Sequence, residues 1–228
     1  IHLEHKLHIS RHECIERSYN AVKYALDLLD TNTGDVEFSA EDACRTDPKF
    51  LVDVITASIS PSVTTFFSSA ISLNFKTNLS ISLIVRLSYP NASSRSAYAL
   101  LPLCFPNTKL FLVDVITAVI DAGATTINVP DTVGYILPHE LGALVTYLKE
   151  NCPGSENVIF SAHCHDDLGL ASANTLEAIT HGVRQVELTC NGIGERAGNT
   201  CLEEVVMAIA TRPEKFPVHC FVDTRRIT

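Results

Sequence analysis

The chain has 228 residues, of which 46% are hydrophobic and 19% charged, a balance typical of one ordinary globular domain. Its formal net charge of −9 argues against a nucleic-acid or anionic-membrane partner, because both partners need a basic protein surface. Eight scattered cysteines without CxxC spacing indicate reduced thiols, and no segment reaches the roughly 20 apolar residues of a membrane helix.

The first sixty residues predict a helix and a strand. Ser10 and Glu13 have the spacing of a capping box, which opens a helix that continues to Leu28. Residues 35–39 (DVEFS) form a short apolar segment with a polar end, as expected of a strand. No initial methionine or leader segment precedes these elements, so we expect the chain to begin within a longer protein.

One eight-residue segment occurs twice in the chain. Residues 50–57 (FLVDVITA) recur unchanged as residues 111–118, and residues 58–110 contain no Asp, Glu or Gly and no sustained periodicity. A solenoid would repeat a whole structural unit, whereas here only eight residues recur on either side of an unrelated sequence. Long structureless loops are also uncommon in compact domains. We interpret residues 58–117 as an insert with a duplicated end, such as a translated intron. A long functional loop is the alternative.

Joining residue 57 directly to residue 119 restores a regular alternation of strands and helices. The predicted strands are then about thirty residues apart, and each has an apolar body and a polar end. Pro138 suits the first turn of a helix, and Gly182 suits a helix end. The pattern predicts about four β/α units around a parallel sheet. The strands lie at 35–39, 125–130, 157–163 and 185–191, and the later helices at 139–150, 170–181 and 200–210.

Two histidines lie at the end of one predicted strand. Because side chains alternate along a strand, His163 and His165 point the same way and are candidates to share a metal ion. An HxH pattern alone is weak evidence, and an ordinary polar strand end is the commoner cause. Parallel barrels collect their chemistry at the C-terminal strand ends, which here carry polar groups throughout. These are Glu37 and Ser39; Asn128, Asp131 and Thr132; His163, His165, Asp166 and Asp167; and Glu187, Asn191 and Glu195.

A glycine-rich loop follows the last predicted strand. Residues 191–199 (NGIGERAGN) lead into a helix, and their glycines permit tight turns and close approach of the backbone to a ligand. The loop does not match GxGxxG and does not follow the first strand of a βαβ pair, which disfavours a dinucleotide site. A plain glycine-rich turn remains the alternative.

Five segments together resemble 2-isopropylmalate synthase and its relatives, the homocitrate, citramalate and methylthioalkylmalate synthases. The resemblance implies the C-terminal half of a TIM (β/α)8 barrel, formed by residues 1–57 and 118–215 and interrupted by the insert, with a linker starting at 216–228. The Arg-Asp motif of the family's first strand is absent, so we expect an incomplete, marginally stable chain without activity of its own. The segments are IHLEHKL, DVEFSAED, INVPDTVGY, HCHDDLG and NGIGERAGN.

The resemblance also implies the chemistry of the site. It makes His163, His165 and Asn199 ligands of Mg²⁺, Mn²⁺ or Zn²⁺, and the ion would hold a 2-oxo acid. Acetyl-CoA would supply the nucleophile, and 2-oxoisovalerate would give 2-isopropylmalate for leucine biosynthesis. Glu37 is the expected catalytic residue, with a salt bridge inside the barrel as its alternative role. Ser39, Asn128 and Thr132 are the expected substrate-binding residues.

Residues around the ligands are expected to support them. Asp166 and Asp167 are expected to orient the imidazole N–H groups, and Glu195 to shape the loop by pairing with Arg196. Cys164 points away from the histidines and is expected to be a packed side chain.

Two other functions stay open: an HMG-CoA-lyase-like enzyme and a non-catalytic half barrel. The resemblance implies a homodimer for the whole enzyme. Its location would be soluble, in a plastid or the mitochondrial matrix of a eukaryote and otherwise in the cytoplasm.

Overall fold

The part of the chain that the structure describes contains six α-helices and four strands, besides short π and 3-10 turns. This computed structural model describes residues 2–28, 38, 46–58, 83–86, 108–216 and 218–227. No helix in these ranges is long and apolar enough to cross a membrane. In chain order the elements are α1 Arg11–Leu28, α2 Pro48–Ser58, β1 Leu83–Arg86, α3 Thr108–Asp121, β2 Thr126–Asp131, α4 Pro138–Asn151, β3 Ile159–Cys164, α5 Ala171–Thr180, β4 Gln185–Leu188 and α6 Leu202–Thr211.

The strands form one sheet in the order β1, β4, β3, β2. Strands β2, β3 and β4 are parallel and are connected through α4 and α5, while β1 is antiparallel to β4. The three strands predicted after residue 124 are therefore confirmed, although β4 ends at Leu188 and is followed by a 3-10 turn that contains Asn191 with φ of 57°. The strand predicted at 35–39 lies outside the described residues except for Phe38, which packs against the core.

Local sequence signals explain where the helices begin. The backbone N–H of Glu13 donates to Ser10 Oγ over 3.1 Å, as the capping spacing predicts. Pro138 opens α4, and Glu140 Oε2 accepts from the Leu137 N–H over 3.0 Å. The helices predicted after Pro138, at Leu170 and at Thr200 are confirmed with ends shifted by one or two residues.

The parallel strands are buried on both faces. One face is apolar and joins the helices in a single core, with Ile127, Val129, Phe160, Ala162, Val186 and Leu188. The register pairs Ile127 with Phe160, and it pairs Ala162 with both Val129 and Val186, so the alternate residues share the opposite face. That opposite face is polar, with Asn128, Ser161, His163, Gln185 and Glu187. The sheet thus has an apolar face that packs against the helices and a buried polar face on its other side.

Both copies of the repeated segment are helical. Leu51, Val54 and Ile55 are buried in α2, and the equivalent residues of α3, Leu112, Val115 and Ile116, are buried as well. The same amphipathic pattern therefore serves two helices, which also contact each other. Within residues 58–110, whose sequence has no sustained periodicity, the structure describes regular elements at Ser58 in α2, at β1, which pairs with β4, and from Thr108, where α3 begins.

The chain after α6 also contacts the core. Val218, Cys220, Val222 and Ile227 are partly buried against it, beyond the end of α6 at Thr211.

We expect Ile116→Ala to destabilise the protein by about 2–5 kcal/mol, because it leaves a cavity in the core. Ile116 is 0% exposed, and Asp114 on the same helix is exposed. Asp114→Ala is the matched control and should change the free energy of unfolding by less than about 0.5 kcal/mol. Urea denaturation followed by circular dichroism measures both, and equal effects would show that α3 does not pack as described.

Candidate metal centre

The end of β3 brings two imidazoles together. His163 is in the strand and His165 follows it, with ring centroids 4.9 Å apart and planes at 79°. His165 is 8% exposed, and the His163 side chain is 17% exposed. The two rings share one side of the strand end, as the alternation of side chains predicts.

Asn199 lies beside this pair at the end of the glycine-rich loop. It forms an isolated antiparallel bridge with His165, and its N–H donates to Gly192 O over 3.0 Å. Its Oδ1 is buried and has no hydrogen-bond partner among the described residues. A Cβ at Gly194 would overlap this oxygen, so the loop needs glycine there. A buried carboxamide oxygen without a partner is suited to bind a cation.

A backbone carbonyl determines the proton position on His165. The ring Nδ1 lies 3.2 Å from Asp131 O, and a carbonyl only accepts, so Nδ1 donates and Nε2 keeps a lone pair. Burial lowers the pKa of His165, and the neighbouring His163 lowers it further. Metal-binding histidines have this arrangement, in which the other ring nitrogen donates to a carbonyl or carboxylate.

A buried carboxylate lies beside His163. The register places Glu187 opposite His163, and Glu187 Oε2 is 2.6 Å from His163 Nδ1, at ion-pair distance but without the angle of a hydrogen bond. Glu187 Oε1 accepts from Asn128 Nδ2 over 2.8 Å. Because the carboxylate accepts, this contact favours a proton on Nδ1 of His163 and leaves its Nε2 free.

The residues expected to orient the imidazoles have other partners. Asp166 Oδ1 accepts from the Ala171 N–H over 2.9 Å at the start of α5. Asp167 is bound to Arg196, and hydrogen bonding to that guanidinium lowers the pKa of Asp167. The groups that lie beside the ring Nδ1 atoms are instead Glu187 and the carbonyl of Asp131. The expected pairing of Glu195 with Arg196 is present at 3.6 Å.

The expected substrate-binding residues lie at different depths. Asn128 is 2% exposed, and its Oδ1 has no hydrogen-bond partner within the described ranges. Thr132 is exposed at the rim, where its carbonyl accepts from Arg196. Glu37 and Ser39 lie outside the described residues.

The donor set fits a divalent cation. Two imidazole nitrogens and one amide oxygen suit Mg²⁺, Mn²⁺ or Zn²⁺. In the described part of the chain, no three His, Cys, Asp or Glu side chains form a metal-binding group, so a site here depends on the carboxamide of Asn199. Cys164 is buried on the apolar face, and burial raises the pKa of its thiol to about 12.

Sequence reasoning missed the role of two residues. Glu187 entered only as a polar strand end, and Arg196 only as a partner of Glu195. The available signal for Glu187 was a carboxylate between two apolar residues of a short strand, QVEL. Arg196 gave no such signal, since its partners belong to other loops.

A comparison of the sequence with protein families identifies the group to which the chain belongs. The HMGL-like family model matches residues 95–228, more than half of the chain, and includes both histidines and Asn199. The chain belongs to the HMGL-like family. This assignment agrees with the resemblance drawn from the five motifs.

Curated relatives of this HMGL-like chain are named 2-isopropylmalate synthase. The protein of Methylococcus capsulatus is 39% identical over 227 residues, which is 100% of this chain and 32% of the relative. That of Vesicomyosocius okutanii is 60% identical over 117 residues, or 51% of this chain and 23% of the relative. The chain spans about a third of the length of relatives matched along its whole length. These relatives are enzymes by name.

A solved structure shares the fold of the HMGL-like chain. The carboxyl transferase domain of Rhizobium etli pyruvate carboxylase matches 87% of this chain and 27% of that chain, with a TM-score of 0.58 and 16% identity. At this identity the likeness concerns the fold alone. Together with the parallel β/α units, it confirms the expected class, part of a TIM (β/α)8 barrel.

We expect Glu187→Ala to lower the free energy of unfolding by about 1–3 kcal/mol, because it leaves Asn128 Nδ2 buried without an acceptor. Glu187→Gln should cost less, since its amide oxygen still accepts from Asn128 and no charge is buried. Glu150→Ala, at an exposed position of α4, is the control. Chemical denaturation measures all three, and equal stability of the Ala and Gln variants would exclude this contact.

Proposed function

We propose that this chain is the metal-binding part of an acyltransferase that condenses acetyl-CoA with a 2-oxo acid, with 2-oxoisovalerate as the substrate and 2-isopropylmalate as the product. The observation that carries the proposal is the backbone bridge between His165, whose ring lies beside that of His163, and Asn199, whose buried Oδ1 has no partner among the described residues. The name shared by the relatives, 2-isopropylmalate synthase, supports the choice of substrates.

The domain organisation proposed for this function follows the sequence. Residues 1–57 and 118–215 form the catalytic half barrel, residues 58–117 are an insert, and residues 216–228 begin a linker. The candidate ligands lie at the C-terminal ends of strands, where this fold usually carries its catalytic groups. We extend the proposal to a homodimer for the whole protein, as the family resemblance implies.

The chain's own residues have separate tasks in this reaction. His163, His165 and Asn199 would hold the ion, with Nδ1 of each histidine held by Glu187 or the Asp131 carbonyl. A bound divalent ion supplies Lewis-acid polarisation of the 2-oxo group.

The remaining groups would handle the substrates. The Thr132 hydroxyl would contact the 2-oxo acid carboxylate at the rim, and Asn128 and Ser39 would complete its binding. Glu37 would act in removing the α-proton of acetyl-CoA, a step that needs a positioned base. The resulting enolate would attack the 2-oxo carbon, and hydrolysis of the thioester by water would then release CoA.

The metal centre is tested on the chain itself by isothermal titration calorimetry with MnCl₂. We expect His163→Ala and Asn199→Leu to weaken Mn²⁺ binding by more than about 100-fold, since each removes a ligand rather than an outer partner. His139→Ala changes an exposed histidine of α4 and should leave the affinity unchanged. Equal affinity for all variants would refute the assigned ligands.

The reaction is tested in a chimera, because we expect the isolated chain to be inactive. This chain replaces the aligned third of the Methylococcus capsulatus relative, once intact and once without residues 58–118. Release of CoA is then followed with 2-oxoisovalerate, 2-oxoglutarate and pyruvate. We expect turnover with 2-oxoisovalerate in the shorter chimera, and a loss of about 1,000-fold in its His163→Ala variant, as several kcal/mol of Lewis-acid stabilisation implies.

Other outcomes assign the chain differently. A preference for 2-oxoglutarate or pyruvate would replace the proposed substrate with another 2-oxo acid. A folded chimera that binds Mn²⁺ but releases no CoA with any acid would refute the condensing function.

A further inference from the structure

One arginine joins the three loops that surround the candidate metal centre. Arg196 Nε donates to Asp167 Oδ1 over 2.7 Å, and its Nη2 donates to Asp167 Oδ2 over 2.8 Å. The same Nη2 donates to Thr132 O over 2.9 Å. Thr132 follows β2, Asp167 follows β3 and Arg196 follows β4. A single side chain therefore links the ends of all three parallel strands.

The geometry of the link is specific to a guanidinium. Two parallel N–H donors match the two oxygens of Asp167, and the third bond uses the same planar group. The Asp167 side chain is 17% exposed and that of Arg196 is 43% exposed, so the pair is partly shielded from water. A Cβ at Gly134 would overlap Asp167 Oδ2, which shows how closely the loop after β2 lies against this carboxylate.

The backbone conformation at Arg196 also indicates that contacts with other loops hold the glycine-rich loop in place. Its φ is 56°, a left-handed conformation that residues with a branched or bulky side chain seldom adopt. Two residues later the loop closes on itself, as the Gly198 N–H donates to Glu195 O over 2.9 Å. Gly198 O then accepts from the Asp166 N–H over 2.8 Å, directly before Asn199. Arg196 and Asn199 thus belong to one short, hydrogen-bonded turn.

We infer that Arg196 is a positioning residue, whose bonds to Asp167 and Thr132 hold the glycine-rich loop so that Asn199 presents its Oδ1 beside the two histidines. This role rests on the proposed function, since it treats Asn199 as a metal ligand. We call the bonds of Arg196 to Asp167 and Thr132 the Arg196 clamp. Because the clamp also fixes the backbone of Thr132, it connects the candidate cation site to the residue proposed to contact the carboxylate of the 2-oxo acid. Arg196 acts through Asn199 and Thr132 and does not itself bind the ion.

The test compares Arg196→Asn with Arg212→Asn in the full chain. Asn tolerates the left-handed conformation at position 196 and removes the clamp. Arg212 is an exposed arginine that pairs with Glu214, so its replacement controls for the lost charge. Two quantities are measured: Mn²⁺ affinity by calorimetry, and amide hydrogen exchange at Gly198 and Asn199 without metal.

We expect Arg196→Asn to weaken Mn²⁺ binding about tenfold, the lower end of the effect of outer partners in metal sites. Exchange at the Gly198 and Asn199 amides should become about tenfold faster, while the strand amides of Ile127 and Val186 stay protected. Arg196→Lys should fail to restore either quantity, because an ammonium cannot make the paired bonds. Asp167→Asn should resemble Arg196→Asn, and the double variant should add nothing further.

The readouts separate the possible failures. Unchanged exchange in Arg196→Asn would overturn the clamp, and faster exchange with unchanged Mn²⁺ affinity would overturn its role in positioning Asn199. Rescue by Arg196→Lys would reduce the role to charge alone and also overturn it. If the unaltered chain binds no Mn²⁺, the proposed function fails, and the exchange measurement still decides the clamp.

Discussion

The alternation of side chains along buried parallel strands is the constraint on which the rest of the structure depends. Its register sets Ile127, Phe160 and their neighbours against the helices and sends the alternate residues into the polar interior. A shift of one residue would exchange the two faces and bury His163 in the apolar core. The fold and the candidate site are therefore consequences of one register.

The polar face carries a cost that its own contacts offset. An ionised carboxylate in a protein interior costs several kcal/mol unless it is paired, and Glu187 is 5% exposed. Asn128 donates to one of its oxygens, and the other lies against His163. Because Glu187 lies beside Nδ1 of His163, it leaves Nε2 as the free nitrogen of that ring. The contacts that surround this buried carboxyl group therefore also orient the candidate ligand.

Backbone and side-chain hydrogen bonds have different roles in the loops around the candidate site. Backbone hydrogen bonds close the glycine-rich turn and place Asn199 next to His165, where a larger residue at position 194 would not fit. Side-chain bonds of Arg196 then attach that turn to the other two loops. The HMGL-like family match includes all three of these loops.

The sequence by itself determined the elements whose signals are local. Capping at Ser10, the turn at Pro138, the three strands and the side shared by His163 and His165 all follow from residues a few positions apart. Tertiary structure alone decided the partners of Asp167, Glu187 and Arg196, and the pairing of Leu83–Arg86 with β4. Those contacts join residues that are distant along the chain, and neither periodicity nor propensity contains the register and loop geometry that bring such residues together.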